Sequence, residues 1–251
     1  MVYPVWLLQI LPAPECGPLD LEIQQGIQMK ERIKKILSNL KNVQEDLLAL
    51  SDDLWLEIDH NDNEAITNGV QFKSEFNENN KQFSDAANSL SKLIQNHTNT
   101  SLYQQIESKE NQVSSVENER IIKELNNKEP HNLTEDFKYK RPYGFVLAGT
   151  PYKNKMTWSE LYIQLCTHLL NTDHKIFNSL ESNQEHVSNR NNKYFSSNPN
   201  ELRSSQKCGA STYVEMNLSA NQIRDSIKRL LKTYNIKHAD LSIYLREDRD
   251  A

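Results

Sequence analysis

The chain has 251 residues, 37% hydrophobic and 25% charged, with only six Gly and a formal net charge of −5. That length holds one or two domains with real cores, and no apolar run approaches bilayer thickness, so a helical membrane protein is excluded. Few Gly and many Asn, Ser and Gln argue against Gly-loop nucleotide enzymes and for polar helices and loops.

The charge is uneven. Residues 1–130 hold 12 Lys+Arg against 21 Asp+Glu, whereas residues 131–251 hold 17 against 13. An acidic first half and a mildly basic second half suggest two modules with different partners, or simply two ordinary solvated surfaces. Cys16, Cys166 and Cys208 form no CxxC pair, and an odd count is no disulfide framework. A reducing, cytoplasmic location is expected.

Residues 1–28 begin with a short apolar stretch broken by Pro4 and Pro12, without the positive leader of a secretory signal. Met29 opens a sharply different pattern, so residues 1–28 are expected to be a poorly ordered or spurious extension.

In the segment 29–97, Ile33, Ile36, Leu40, Val43, Leu47, Leu50 and Leu54 recur at alternating spacings of three and four, the a/d seam of a coiled coil. Asp59 to Asn63 is turn chemistry, with Asn61 and Glu64 as a cap-and-return pair. A second stripe runs through Val70, Phe72, Phe76, Phe83, Ala86, Leu90, Leu93 and His97. Neither helix can bury its stripe alone, which predicts an antiparallel hairpin closing on the rest of the chain or on a second copy. Asp59, Asn61 and Asn63 also match the opening of a calcium loop. Glu64 replaces the required Gly and Val70 the closing carboxylate, so they read as caps, and no metal or cofactor is expected.

Residues 98–134 read as a polar linker, with Leu102, Ile106, Val113, Val116, Ile122 and Leu125 able to form a loose third helix. Residues 135–251 form the second module. Phe137, Tyr139 and Tyr143–Leu147 predict a strand, Ala148 to Pro151 a turn, and Tyr152–Met156 the returning arm. Thr157 and Glu160 make a capping box ahead of a helix with Trp158, Leu161, Tyr162, Leu165, Leu169 and Leu170 on one face. A shorter helix through Phe177 and Leu180, a polar loop at 181–193 and a strand from Lys193 to Ser197 follow. Tyr213, Val214 and Met216 suit a strand. Ser219 and Gln222 make another capping box, and Ile223, Ile227, Leu230, Leu231 and Tyr234 share a helical face that Asn235 can end. Leu241–Leu245 alternates as a last strand. The order β-β-α-α-β-β-α-β predicts an α+β domain with its helices on one face of a mostly antiparallel sheet.

No catalytic constellation is found. A Gly-x-Ser-x-Gly elbow is missing, and Cys166, with His168 and His174 nearby, sits mid-helix on a face predicted to be buried. Glu215 and Asp240 are the only carboxylates placed as a metal nuclease would want them, and neither has the matching Lys. Binding has more support. Arg224, Lys228 and Lys232 form a stripe at i, i+4 and i+8 with Arg229 beside it, and Arg203 and Lys207 precede it. Arg190 and Lys193 sit in or near the polar loop, and Tyr194 and Phe195 offer rings for stacking. Arg203, Lys207, Arg224, Lys228, Arg229, Lys232 and Tyr194 are therefore the candidate nucleic-acid residues. The plain alternative is a solvated helix exterior, with Asp225 paired to Arg229.

The segments KYKRPYGFVLAGTPYKNKMTWSELYIQLCTHLL (138–170) and YFSSNPNELR through YVEMNLSANQIRDSIKRLLKTYNIKHADLSIYLR (194–246) carry four recognisable pieces. These are an RPYGF strand, a TW-x-x-LY-x-x-LC helix, an FS-x-N-x-x-x-LR turn and a YVE-x-NLSAN capped helix. Together they resemble an uncharacterised bacterial domain of hypothetical proteins, also found at the ends of some restriction- or defence-associated proteins. The resemblance implies a shared fold and a link to DNA-directed systems; it transfers no catalytic residue and leaves the hairpin outside. The expectation is a non-enzymatic cytoplasmic binding protein, a hairpin for oligomerisation or docking joined to a recognition domain whose first candidate partner is nucleic acid. A pure protein–protein adaptor and a metal-dependent nuclease subunit are the alternatives.

Overall fold

A computed structural model describes residues 18–100, 115–154, 157–188 and 192–246. The chain is α+β: the described residues form two long helices, then a domain of two antiparallel sheets and four further helices. Helix α1 runs Pro18–Leu56 and α2 Asn63–Thr98. They are antiparallel, since Gln44 Nε2 donates to Ser84 O (3.3 Å) and Lys73 Nζ to Ser51 O (2.8 Å). A Cβ at Gly69 would overlap the Ile58 side chain, so glycine lets the helices close up beside the turn. The hairpin is as expected, but its boundary is not: α1 begins at Pro18, so residues 18–28 continue the helix instead of preceding it. The α2 cap also falls one residue later than predicted. Asp62 is the N-cap, accepting from Glu64 N–H, while Asp59 accepts from Asn61 N–H.

Helix α3, Ser115–Leu125, keeps the C-terminal part of the predicted third helix. Leu102, Ile106 and Val113 lie outside the described residues, as do residues 1–17 with Cys16, and Met156 and Arg190. The first sheet has the order β1-β7-β2-β3, with β1 Pro130–His131, β2 Pro142–Leu147, β3 Thr150–Lys153 and β7 Leu241–Leu245. Phe137 and Tyr139 are not in a strand; Tyr139 has a positive φ of 60° and marks a turn. The β2–β3 hairpin turns through Ala148 (φ 48°) and Gly149 (φ 80°), the left-handed pair a two-residue connection needs. A second sheet, β4-β6-β5, joins β4 Phe195–Ser196, β5 Ser205–Cys208 and β6 Thr212–Glu215. The sequence predicts one sheet and omits β5.

Helix α4 (Trp158–Thr172) packs against β2 of the first sheet and β5 of the second, with the short α5 (His174–Ser179) and α6 (Ala220–Thr233) against α4. Both predicted capping boxes form, at Thr157/Glu160 and Ser219/Gln222, and Asn235 takes the left-handed conformation (φ 54°) after α6. Trp158, Tyr162, Phe145, Phe177, Phe195 and Ile227 are fully buried in one continuous core. Tyr162 and Ser226 bond hydroxyl to hydroxyl across it (2.7 Å).

Helix α1 docks on this domain through polar side chains. Glu45, itself buried, accepts from Trp158 N–H (3.2 Å), Ser159 N–H (2.9 Å) and Ser159 Oγ–H (2.7 Å), satisfying the orphan donors at the α4 N-terminus that the capping box leaves. Lys41 donates to Met216 O, Arg141 forks onto Asp46, and Asp53 takes Lys138 and the Tyr139 hydroxyl. The predicted seam therefore does not define the packing: Ile33, Leu40, Leu47 and Leu54 are half-buried, but Ile36, Val43 and Leu50 are exposed. Among the described residues no helix is long and apolar enough to cross a membrane.

Candidate functional site

A cleft of about 540 Å³ opens where the hairpin meets the α+β domain. The hairpin contributes Asp52 and Trp55 from α1 and Lys73 and Asn77 from α2. The domain contributes Tyr194, Arg203, Gln222 and Arg229, with Val187, Ser188, Asn192 and Leu218 completing the wall. Three cations thus face one acid.

Each wall residue is placed by a local device. Tyr194 precedes β4 and has both backbone groups pinned: its N–H donates to His186 O (3.1 Å) and its carbonyl accepts from Glu215 N–H (2.9 Å). Arg203 sits in the turn before β5, held from behind by Glu215. That carboxylate is almost fully buried and accepts from the N–H groups of Arg203 (2.7 Å), Ser204 (3.1 Å) and Asn217 (2.7 Å). The Arg203 guanidinium donates to Asn217 O (3.2 Å), with its Nε 3.7 Å from Glu215. Lys73 donates to Ser51 O and Oγ and lies 3.3 Å from Asp52.

Arg229 differs from the other two. Its guanidinium lies 4.8 Å over the Tyr194 ring, and its Nε is buried without a hydrogen-bond partner. Among the described residues no carboxylate pairs with it. Its neighbour His186 is buried and keeps a neutral ring, because burial first and the Arg229 charge second push its pKa down to about 4.

The seven candidate nucleic-acid residues divide. Tyr194, Arg203 and Arg229 converge on the cleft. Arg224, Lys228 and Lys232 do not: Arg224 bonds Asp225 (2.9 Å) and Glu135 O (2.8 Å), Lys228 lies 3.6 Å from Asp225, and Lys232 bonds Glu185. Asp225 pairs with Arg224 and Lys228, not with Arg229 as the helix spacing suggested, and this frees Arg229 to turn inward. Lys207 is exposed on the edge strand β5. Lys193 is committed to Glu201 (2.7 Å) and Glu181 (3.5 Å). Sequence reasoning missed Trp55, Lys73 and Gln222, since only the docking of the hairpin brings them here; no local pattern marks them.

The carboxylates Glu215 and Asp240 lie apart, one ending β6 in the second sheet and one just before β7 in the first. Among the described residues no group of three His, Cys, Asp or Glu is placed to hold a metal ion. Cys166 and Cys208 are buried free thiols, and burial raises both pKa values, Cys208 to about 11. No family model, curated protein or solved structure matches the chain.

Proposed function

We propose that this chain is a non-catalytic binding protein that takes an unpaired nucleic-acid segment in the cleft between its hairpin and its α+β domain. The observation that carries this reading is Arg229, a cation fixed on the Tyr194 ring, lining the cleft, and with no carboxylate in ion-pair contact among the described residues. A phosphate in the cleft would meet the Arg229 charge, and Arg203 and Lys73 would share it. Trp55 in the opposite wall supplies an aromatic face for a base. The volume suits a small ligand, within the ~300–1,000 Å³ of ordinary ligand sites, and so a nucleotide or strand end in preference to a duplex.

The test is fluorescence anisotropy with a labelled single-stranded oligonucleotide and its matched duplex, at two salt concentrations. Single strand should bind more tightly, and affinity should fall as salt rises. Arg229→Glu should weaken binding at least tenfold and Arg203→Gln severalfold, while Lys228→Glu, on the neutralised stripe, should leave it unchanged. Binding insensitive to salt, or equal for wild type and both cleft variants, would overturn the reading.

A further inference from the structure

The hairpin turns its more polar side inward. The α1 residues that meet α2 or the α+β domain include Ser38, Asn42, Gln44, Glu45 and Ser51, all buried, whereas the seam residues Ile36, Val43 and Leu50 are 54%, 45% and 38% exposed. Met29, seven residues before Ile36, is 55% exposed, so the stripe keeps a strict heptad period. On α2, Phe72, Leu90 and Leu93 are exposed as well.

Helical geometry places all of these on one side. Gln44 and Ser51 on α1 and Lys73 on α2 bond across the helix–helix contact, and the buried Leu37 on α1 and the half-buried Ser91 and Ile94 on α2 lie within about 60° of them in helical phase. Ile36, Val43 and Leu50 each stand one residue before such a position, and so do Phe72, Leu90 and Leu93. In an antiparallel pair, a step back of 100° turns both helices toward the same side of the hairpin. A step forward leads to the other side: Asp52 follows Ser51, and Asn77 follows the half-buried Phe76. Asp52 and Asn77 line the cleft against the α+β domain. The apolar stripes therefore cover the face that points away from the domain.

We infer that this outer face is the interface between two copies of the chain, pairing hairpin to hairpin as a four-helix bundle. Each stripe spans 22 residues, Met29–Leu50 and Phe72–Leu93, or about 32 Å from first to last at the helical rise. Two helix widths of about 20 Å give a footprint of roughly 600 Å², approaching the ~800 Å² per partner of a stable interface. A two-fold interface must be complementary to itself. An apolar stripe meets that demand, since like pairs with like, and the seam positions carry no charge. The heptad period also asks for a mate with the same period, which a second α1 supplies.

The decisive experiment is sedimentation equilibrium of the full chain, at 0.15 and 0.5 M salt. Wild type should sediment at twice the monomer mass at both, because an apolar seam does not weaken with salt. Val43→Glu with Leu50→Glu should reduce it to monomer with an unchanged circular dichroism spectrum; Leu90→Lys with Leu93→Lys, on the other helix, should do the same. A wild-type monomer at tens of micromolar would overturn the inference. So would a dimer that survives both pairs of substitutions, or one that survives them only at low salt.

Discussion

Beside Arg229, the hydrogen bonds of His186 fix its tautomer. Thr233 donates its hydroxyl to Arg229 O (3.0 Å), so its oxygen accepts from His186 Nε2–H (2.9 Å). The Nδ1 lone pair then stays buried without a partner, and a proton arriving there would meet desolvation and the Arg229 charge. With the folded pKa near 4 and the unfolded value at 6.5, the neutral ring contributes stability that is complete above pH 6.5 and lost as pH falls through about 4. Over that window stability should fall by about 3 kcal/mol on account of this one ring. His186→Gln, whose amide reproduces the donor to Thr233 without titrating, should remove that part of the slope. Paired urea melts of wild type and variant at pH 7, 5.5 and 4 would check it, and parallel losses in the two would refute it.

Among the elements, the junction of α1 with α4 carries the most consequence. Burial pushes the Glu45 carboxyl above its ordinary pKa and the Lys41 ammonium below its own, while Lys41 and the α4 N-terminus favour the charged carboxylate. The two are coupled across the buried junction without a direct ion pair, so losing either leaves the other's charge less compensated. Lys41→Met should therefore lower stability by about 1–3 kcal/mol, and Lys41→Met with Glu45→Gln should recover part of it, as read from urea midpoints. Additive effects would mean that the two side chains do not share the junction. The junction also marks where sequence reading stops. The capping boxes at Thr157 and Ser219 were legible because every partner lies within three residues, and the seam was legible as a period. Its direction was not. Which side of α1 faces inward is decided by Trp158, Ser159 and Arg141, more than 90 residues away. Strand β5 was missed for a related reason: Ser205, Gln206 and Lys207 form a polar edge with no alternation, and only pairing with Tyr213, Val214 and Glu215 makes it a strand. The cleft was half legible, in Tyr194, Arg203 and Arg229, because its other wall belongs to the hairpin.

For the whole molecule, the central place of β7 in the first sheet sets an order of events. Ile243 pairs with His131 on one side and Phe145 on the other, so the strand that joins β1 to β2 is made well after both. The hairpin depends only on neighbours in sequence, closes a short loop and forms early; the sheet waits for contacts about 100 residues apart. Pulse-labelled hydrogen exchange during refolding should find amides of α1 and α2 protected before those of β2 and β7, and simultaneous protection would contradict this order. On a ribosome the apolar outer face is then complete while the α+β domain is still unfinished. Two nascent chains on one messenger would be free to pair through their hairpins before either sheet closes, so assembly would precede the maturation of the cleft.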